Sequence, residues 1–195
     1  MTTRPPERPP VEPLDTFYRD AGRPLPSVRI VADADMPEPQ RRLLAHNTDM
    51  TRTLEAFHGD TIHLEVKSCE MRGDALWREV VLTLDRTGSP VEFGAIRIWV
   101  DRFPEACREE IRACRRPLGS ILNASGMRYT SRPTAFLALD PDPFMMEALA
   151  LHSRGTLYGR QNALRDEHGR VLAEIVEILP QSLPRDPAAK THPES

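Results

Sequence analysis

No stretch of this sequence approaches the ~20 consecutive apolar residues that a membrane-crossing helix needs. The amino terminus carries arginines but lacks the apolar segment of a secretory signal. Cysteine is scarce, with three in 195 residues, and an odd count argues against a disulfide framework. Cys107 and Cys114 sit in one helical pattern, about 10 Å apart along its axis, too far to bridge. No CxxC or HxxxH spacing occurs and the six histidines are scattered, so no metal is expected. Lys and Arg number 26 against 29 Asp and Glu, a net charge of −3. The signs are interspersed, without a basic run or aromatic-basic interleaving, which argues against nucleic-acid binding. There is no G-x-S-x-G elbow, P-loop, dinucleotide fingerprint or clear nucleophile–base pairing. The expectation is a cytoplasmic protein without membrane span, metal or cofactor.

Proline is plentiful and unevenly placed. Nine of the 19 prolines fall in the first forty residues, as in "TRPPERPPVEP" and "GRPLP". Such composition favours extended, solvated chain. The tail "PQSLPRDPAAKTHPES" reads the same way. The expected organisation is a proline-rich, largely disordered arm over 1–36, one compact domain over 37–180, and a disordered tail over 181–195.

Within that domain "EPQRRLLAH" reads as a helix. "NTDMTRTLEAFHGD" reads as a second, with Asn47, Thr48 and Asp49 as capping acceptors and Gly59 as its stop. Alternation and β-branched content mark strands in "TIHLEVKSCE", "ALWREVVLTLD" and "VEFGAIRIWV". "FPEACREEIRACRR" and "RPLGSIL" are helical, "TAFLALD" is a brief strand, and "PDPFMMEALALHSRG" is a helix. A hairpin around "DEHG" closes the domain and ends at Pro180. Consecutive strands joined by short turns imply antiparallel pairing. The fold class is therefore α+β, with about six antiparallel strands and helices on one side.

Residues two apart share a strand face. Arg78 thus lies with Val80, Leu82 and Leu84, a guanidinium on the most apolar face of the strongest strand. Either its head reaches past the sheet edge, or it ties strands together with a glutamate, or its fork awaits a planar anion. The last strand carries one acid on each apolar face: Glu174 with Leu172, Val176 and Ile178, and Glu177 with Ala173, Ile175 and Leu179. At least one is a buried or cleft carboxylate. Arg160, after the glycine of "LYGR", adds a basic group near the same hairpin. Met50 opens its helix beside the polar cap, either as core filler or as a wall.

Taken in order, "DMT", "LWREVVLTL", "PLGSIL" and "LYGR…G…E…LP" resemble the chorismate pyruvate-lyase family over roughly Leu43 to Pro180. The resemblance implies an antiparallel sheet with helical flaps over an internal pocket, a fold shared with the ligand-sensing domains of GntR-type regulators. It implies cofactor-independent cleavage of chorismate to 4-hydroxybenzoate and pyruvate, in aromatic biosynthesis of the ubiquinone type or secondary metabolism. It also assigns substrate contacts to Met50, Arg78, Leu118 and a glutamate of the last strand. Arg78 and Glu174 would then be catalytic, with Glu177 and Arg160 further binding residues. Counting along the strand places the family glutamate at Val176. Glu174 is preferred because it shares that face and the small-residue–Glu–apolar context of "AEIV", while Glu177 requires a bulge. Gln161 stands where the family has a second arginine. The alternatives are a non-catalytic, sensor-like domain binding a small aromatic acid, or a lyase acting on a related cyclohexadienyl carboxylate. Against the sensor, the first forty residues are too short and proline-rich for a helix-turn-helix domain.

Overall fold

The computed structural model describes residues 11–183. The start of the expected arm and nearly all of the expected tail lie outside the described residues. Six helices, α1 (Leu14–Asp20), α2 (Gln40–Leu44), α3 (Met50–His58), α4 (Glu105–Ala113), α5 (Leu118–Ser125) and α6 (Pro143–Ala148), accompany seven strands. The strands are β1 (Val28–Val31), β2 (Ile62–Arg72), β3 (Ala75–Leu84), β4 (Pro90–Trp99), β5 (Thr130–Leu139), β6 (Leu157–Arg165) and β7 (Val171–Leu179). They form one antiparallel sheet in the order β1-β5-β6-β7-β4-β3-β2. The α+β class is as expected, with seven strands rather than about six.

The hairpin turns follow their residues. Gly73 at φ 60° joins β2 to β3, and Gly169 at φ 80° closes the "DEHG" turn, conformations that cost glycine little. Asp166 Oδ1 accepts from the backbone N–H of His168 and Arg170 at 3.0 and 2.8 Å, which fixes that turn.

Two expectations are corrected. The segment 11–36 is not an unstructured arm: β1 pairs with β5 at the sheet edge, and α1 buries Leu14, Phe17 and Tyr18. Their i, i+3, i+4 spacing is a helix signal that the surrounding prolines obscure. Phe17 meets Trp77 edge to face at 5.8 Å, and Tyr18 donates a hydrogen bond to Asp142, the cap of α6, at 2.9 Å. Helices also cover both sides of the sheet. Trp77, Val81, Phe93 and Ala95 pack with α1 and α6. The alternate residues Leu76, Leu82, Ile96 and Ile98 face the side held by α2 to α5.

A third correction concerns the cysteines. Cys69 of β2 and Cys114, the C-cap of α4, are joined in a disulfide across 45 residues of sequence, while Cys107 is free and buried. The spacing argument ruled out a bond within α4 but said nothing of a partner on a distant strand. Labelling the unfolded, unreduced chain with a maleimide should therefore modify one thiol, and labelling after reduction should modify three.

Candidate functional site

The face of the sheet under α3 and α5 does not fill completely with side chains. A cavity of about 60 Å³ remains, on a scale where one water occupies roughly 10–15 Å³. Its floor comes from β3, β4, β6 and β7, and its roof from the first turns of α3 and α5. Met50, Arg78, Leu118, Arg160 and Glu177 all border it. Met50 is therefore a wall of the cavity as well as part of the core beneath α2 and α3.

The roof is held by one capping residue. Asp49 accepts from the N–H of Thr51 at 3.1 Å, capping α3, and from Asn123 Nδ2 of α5 at 2.9 Å. Burial pushes its carboxyl pKa upward. The two helices approach so closely that a Cβ at Gly119 would overlap the Asp49 carboxylate. That contact explains the glycine of "PLG". Gly119→Ala should separate the flaps at a cost of about 1–3 kcal/mol, which a thermal melt would register as a lower midpoint.

Arg160 is fully buried. Its Nε donates to Glu177, and its Nη1 donates to the carbonyls of Leu44 and His46 at 3.2 and 3.0 Å. It thus ties β6 and β7 to the segment leading into α3. Burial and the neighbouring Arg160 charge push the His46 pKa down. Arg78 is equally enclosed, at 2% exposure. Its Nη1 donates to the carbonyl of Arg116 at 3.2 Å, and no carboxylate pairs with it among the described residues. Burial alone pushes its pKa down to about 10. Of the three readings the sequence left open for Arg78, escape to solvent and a strand-tying pair with Glu174 or Glu177 are both excluded.

The preference between the two glutamates is corrected. Glu177 borders the cavity, while Glu174 is on the opposite face, paired with Arg97. The one-residue bulge that Glu177 requires is present beside the hairpin, and its register partners Arg160 and Gly94 face the cavity. Counting from the hairpin landed one residue short because β6 and β7 slip in register between Leu164 and Arg165.

Two residues were missed. Glu92 of β4 and Asn162 of β6 are buried in the cavity wall. Glu92 was within reach of the face-alternation argument, since it shares an otherwise apolar face with Gly94, Ile96 and Ile98. Asn162 carried no comparable signal.

This arrangement, a seven-stranded antiparallel sheet with helical flaps over a cavity, is the chorismate lyase-like fold. Among solved structures it is shared with the effector domain of PhnF from Mycobacterium smegmatis, at 15% identity and a TM-score of 0.52, over 68% of this chain and 88% of that one. PhnF itself matches at 15% identity and a TM-score of 0.51 over 69% of this chain and 64% of that one. A possible transcriptional regulator, YydK from Bacillus subtilis, matches at 11% identity and a TM-score of 0.50 over 65% and 59%. The chain spans about three fifths of the PhnF and YydK chains. No protein-family model and no curated protein matches it. The expectation of a chorismate pyruvate-lyase is corrected by this finding: the fold is shared with an effector domain and with a possible transcriptional regulator. The catalytic roles assigned to Arg78 and Glu174 go with it. Among the described residues no helix is long and apolar enough to cross a membrane.

Proposed function

We propose that the chain is a non-catalytic binding domain for one small aromatic or cyclohexadienyl acid, held in the cavity beneath α3 and α5. One observation carries the reading. Four buried polar atoms without a hydrogen-bond partner, Arg78 Nε, Glu92 Oε2, Arg160 Nη2 and Asn162 Oδ1, belong to residues that border this single cavity. A buried polar group left unpaired costs about 1–3 kcal/mol, so a protein that concentrates four of them has a ligand to pair them. Arg78 requires that ligand to be an anion, and its planar fork suits a carboxylate. Met50, Leu64, Val80, Leu118 and Ile175 require an apolar body behind the charge, which inorganic anions lack. As part of a sensor the domain would leave nucleic-acid contact to other surfaces, in keeping with its net charge of −3.

Thermal melts of the full chain with benzoate, 4-hydroxybenzoate, benzamide and sulfate test this. Binding to the native state at one hundred times Kd adds about 2.7 kcal/mol of stability. The acids should raise the midpoint, whereas benzamide and sulfate should not. Chromatography should recover the acids unchanged, and chorismate should release no pyruvate. Midpoints unmoved by both ring acids would overturn the reading.

A further inference from the structure

Cys114 occupies a position that cysteine does not favour. It caps α4 with φ 52°, in the left-handed region, where glycine is the usual occupant and a residue with a Cβ is strained. A residue held there against its backbone preference is there for its side chain, and that side chain is bonded to Cys69. Cys69 is exposed on β2, the edge strand of the sheet, while Cys114 is buried. In the strand register Cys69 is opposite Arg78. Two residues beyond Cys114, the carbonyl of Arg116 accepts from Arg78 Nη1. Pro117 then leads into α5, whose Leu118 and Gly119 roof the cavity. The disulfide thus fastens to the sheet the segment that enters one flap, beside the guanidinium proposed to hold the acid. α4 packs chiefly on α5 and on the turn before itself, and little on β2. The bond is therefore the main tie between this segment and the sheet edge.

We propose that the Cys69–Cys114 disulfide is a redox-sensitive latch on the cavity, closed when oxidised and released by a dithiol reductant. This rests on the binding function proposed above and adds its regulation. A thiolate of the dithiol attacks the sulfur of Cys69, the exposed partner, and forms a mixed disulfide. The Cys69–Cys114 bond breaks with its electron pair on Cys114, which takes up a proton. The second thiolate of the dithiol then displaces Cys69 as a thiol, and the reductant leaves as its own disulfide, having passed two electrons to the protein. Once released, Cys114 can relax from its left-handed backbone, and residues 114–119 are no longer held beside Arg78. A ligand must then order that segment as it binds, and the entropy lost is subtracted from its affinity. The coupling is reciprocal, so a bound acid makes the bond harder to reduce by the same factor.

Calorimetric titration of the full chain with 4-hydroxybenzoate, with and without dithiothreitol, reads the affinity of each state. Amide hydrogen exchange without ligand reads the segment itself. Reduction should weaken binding at least about fivefold, the low end of coupling between sites. It should also speed exchange at residues 115–121 more than in β6, because the opening is local. Cys69→Ser should match the reduced chain in both readouts and ignore the reductant. Cys114→Gly, which removes the bond and suits the left-handed cap, should do the same. In a dithiothreitol redox buffer, 4-hydroxybenzoate should move the midpoint of reduction to more strongly reducing conditions by the factor seen in Kd. Equal Kd in the two states, with the acid bound in both, overturns the latch alone. Exchange that speeds equally in β6 means general loosening and overturns it as well, as do three reactive thiols in the unreduced chain. Absence of binding in either state overturns the binding function, and the latch then stands or falls on exchange at residues 115–121.

Discussion

Replacing Arg78 with methionine should make the empty protein more stable and the liganded protein far weaker. Arg78 is 2% exposed, without a carboxylate partner, and burial holds its pKa down to about 10. Substituting well-packed apolar residues for buried charge is often stabilising by about 1–4 kcal/mol, and here only one carbonyl, that of Arg116, would lose a donor. Affinity should move the other way. Truncating one partner of a buried charge pair costs about 2–5 kcal/mol, or roughly thirtyfold to several thousandfold in Kd for a ring acid. A residue kept for structure would lower stability when removed. Opposite signs in urea unfolding and in ligand titration mark one kept for binding.

The second large effect is expected at Arg160, with the opposite sign for stability. Its removal would leave Glu177 buried without its cation and free the carbonyls of Leu44 and His46. Breaking one side of a buried ion pair costs about 3–5 kcal/mol, so Arg160→Met should lower the urea midpoint sharply. Adding Glu177→Gln to that variant should recover a large part of the loss, because the stranded charge is then gone. Little loss in Arg160→Met would mean that the pair does not anchor the segment between α2 and α3.

These contrasting arginines show how far the residues alone could be read. Face alternation placed Arg78 on an apolar strand face, and the order of short motifs brought Met50, Leu118 and Arg160 into the same account; all four border one cavity. The choice between Glu174 and Glu177 failed for a local reason. A register slip beside the hairpin supplies the bulge that Glu177 requires, and no composition or spacing reports such a slip. The partner of Arg160 was equally hidden, since it depends on which strands are neighbours. The helix α1 was a failure of weighting. Leu14, Phe17 and Tyr18 carry its spacing, but the prolines around them spoke more loudly for extended chain. The Cys69–Cys114 disulfide depends on the fold bringing the C-cap of α4 to β2, which no sequence distance encodes. The lyase expectation leaned on the fold, and a fold does not fix a function.

The central claim is that an acid enters the cavity and pairs with the unpartnered Nε of Arg78. The most direct measurement is the arginine side-chain Nε–H spectrum of the ¹⁵N-labelled full chain during titration with 4-hydroxybenzoate, with the Arg78 signal identified from Arg78→Met. The account predicts that this signal shifts and saturates with the same Kd as the calorimetric titration. An Arg78 signal that stays in place while the acid saturates the protein would contradict it.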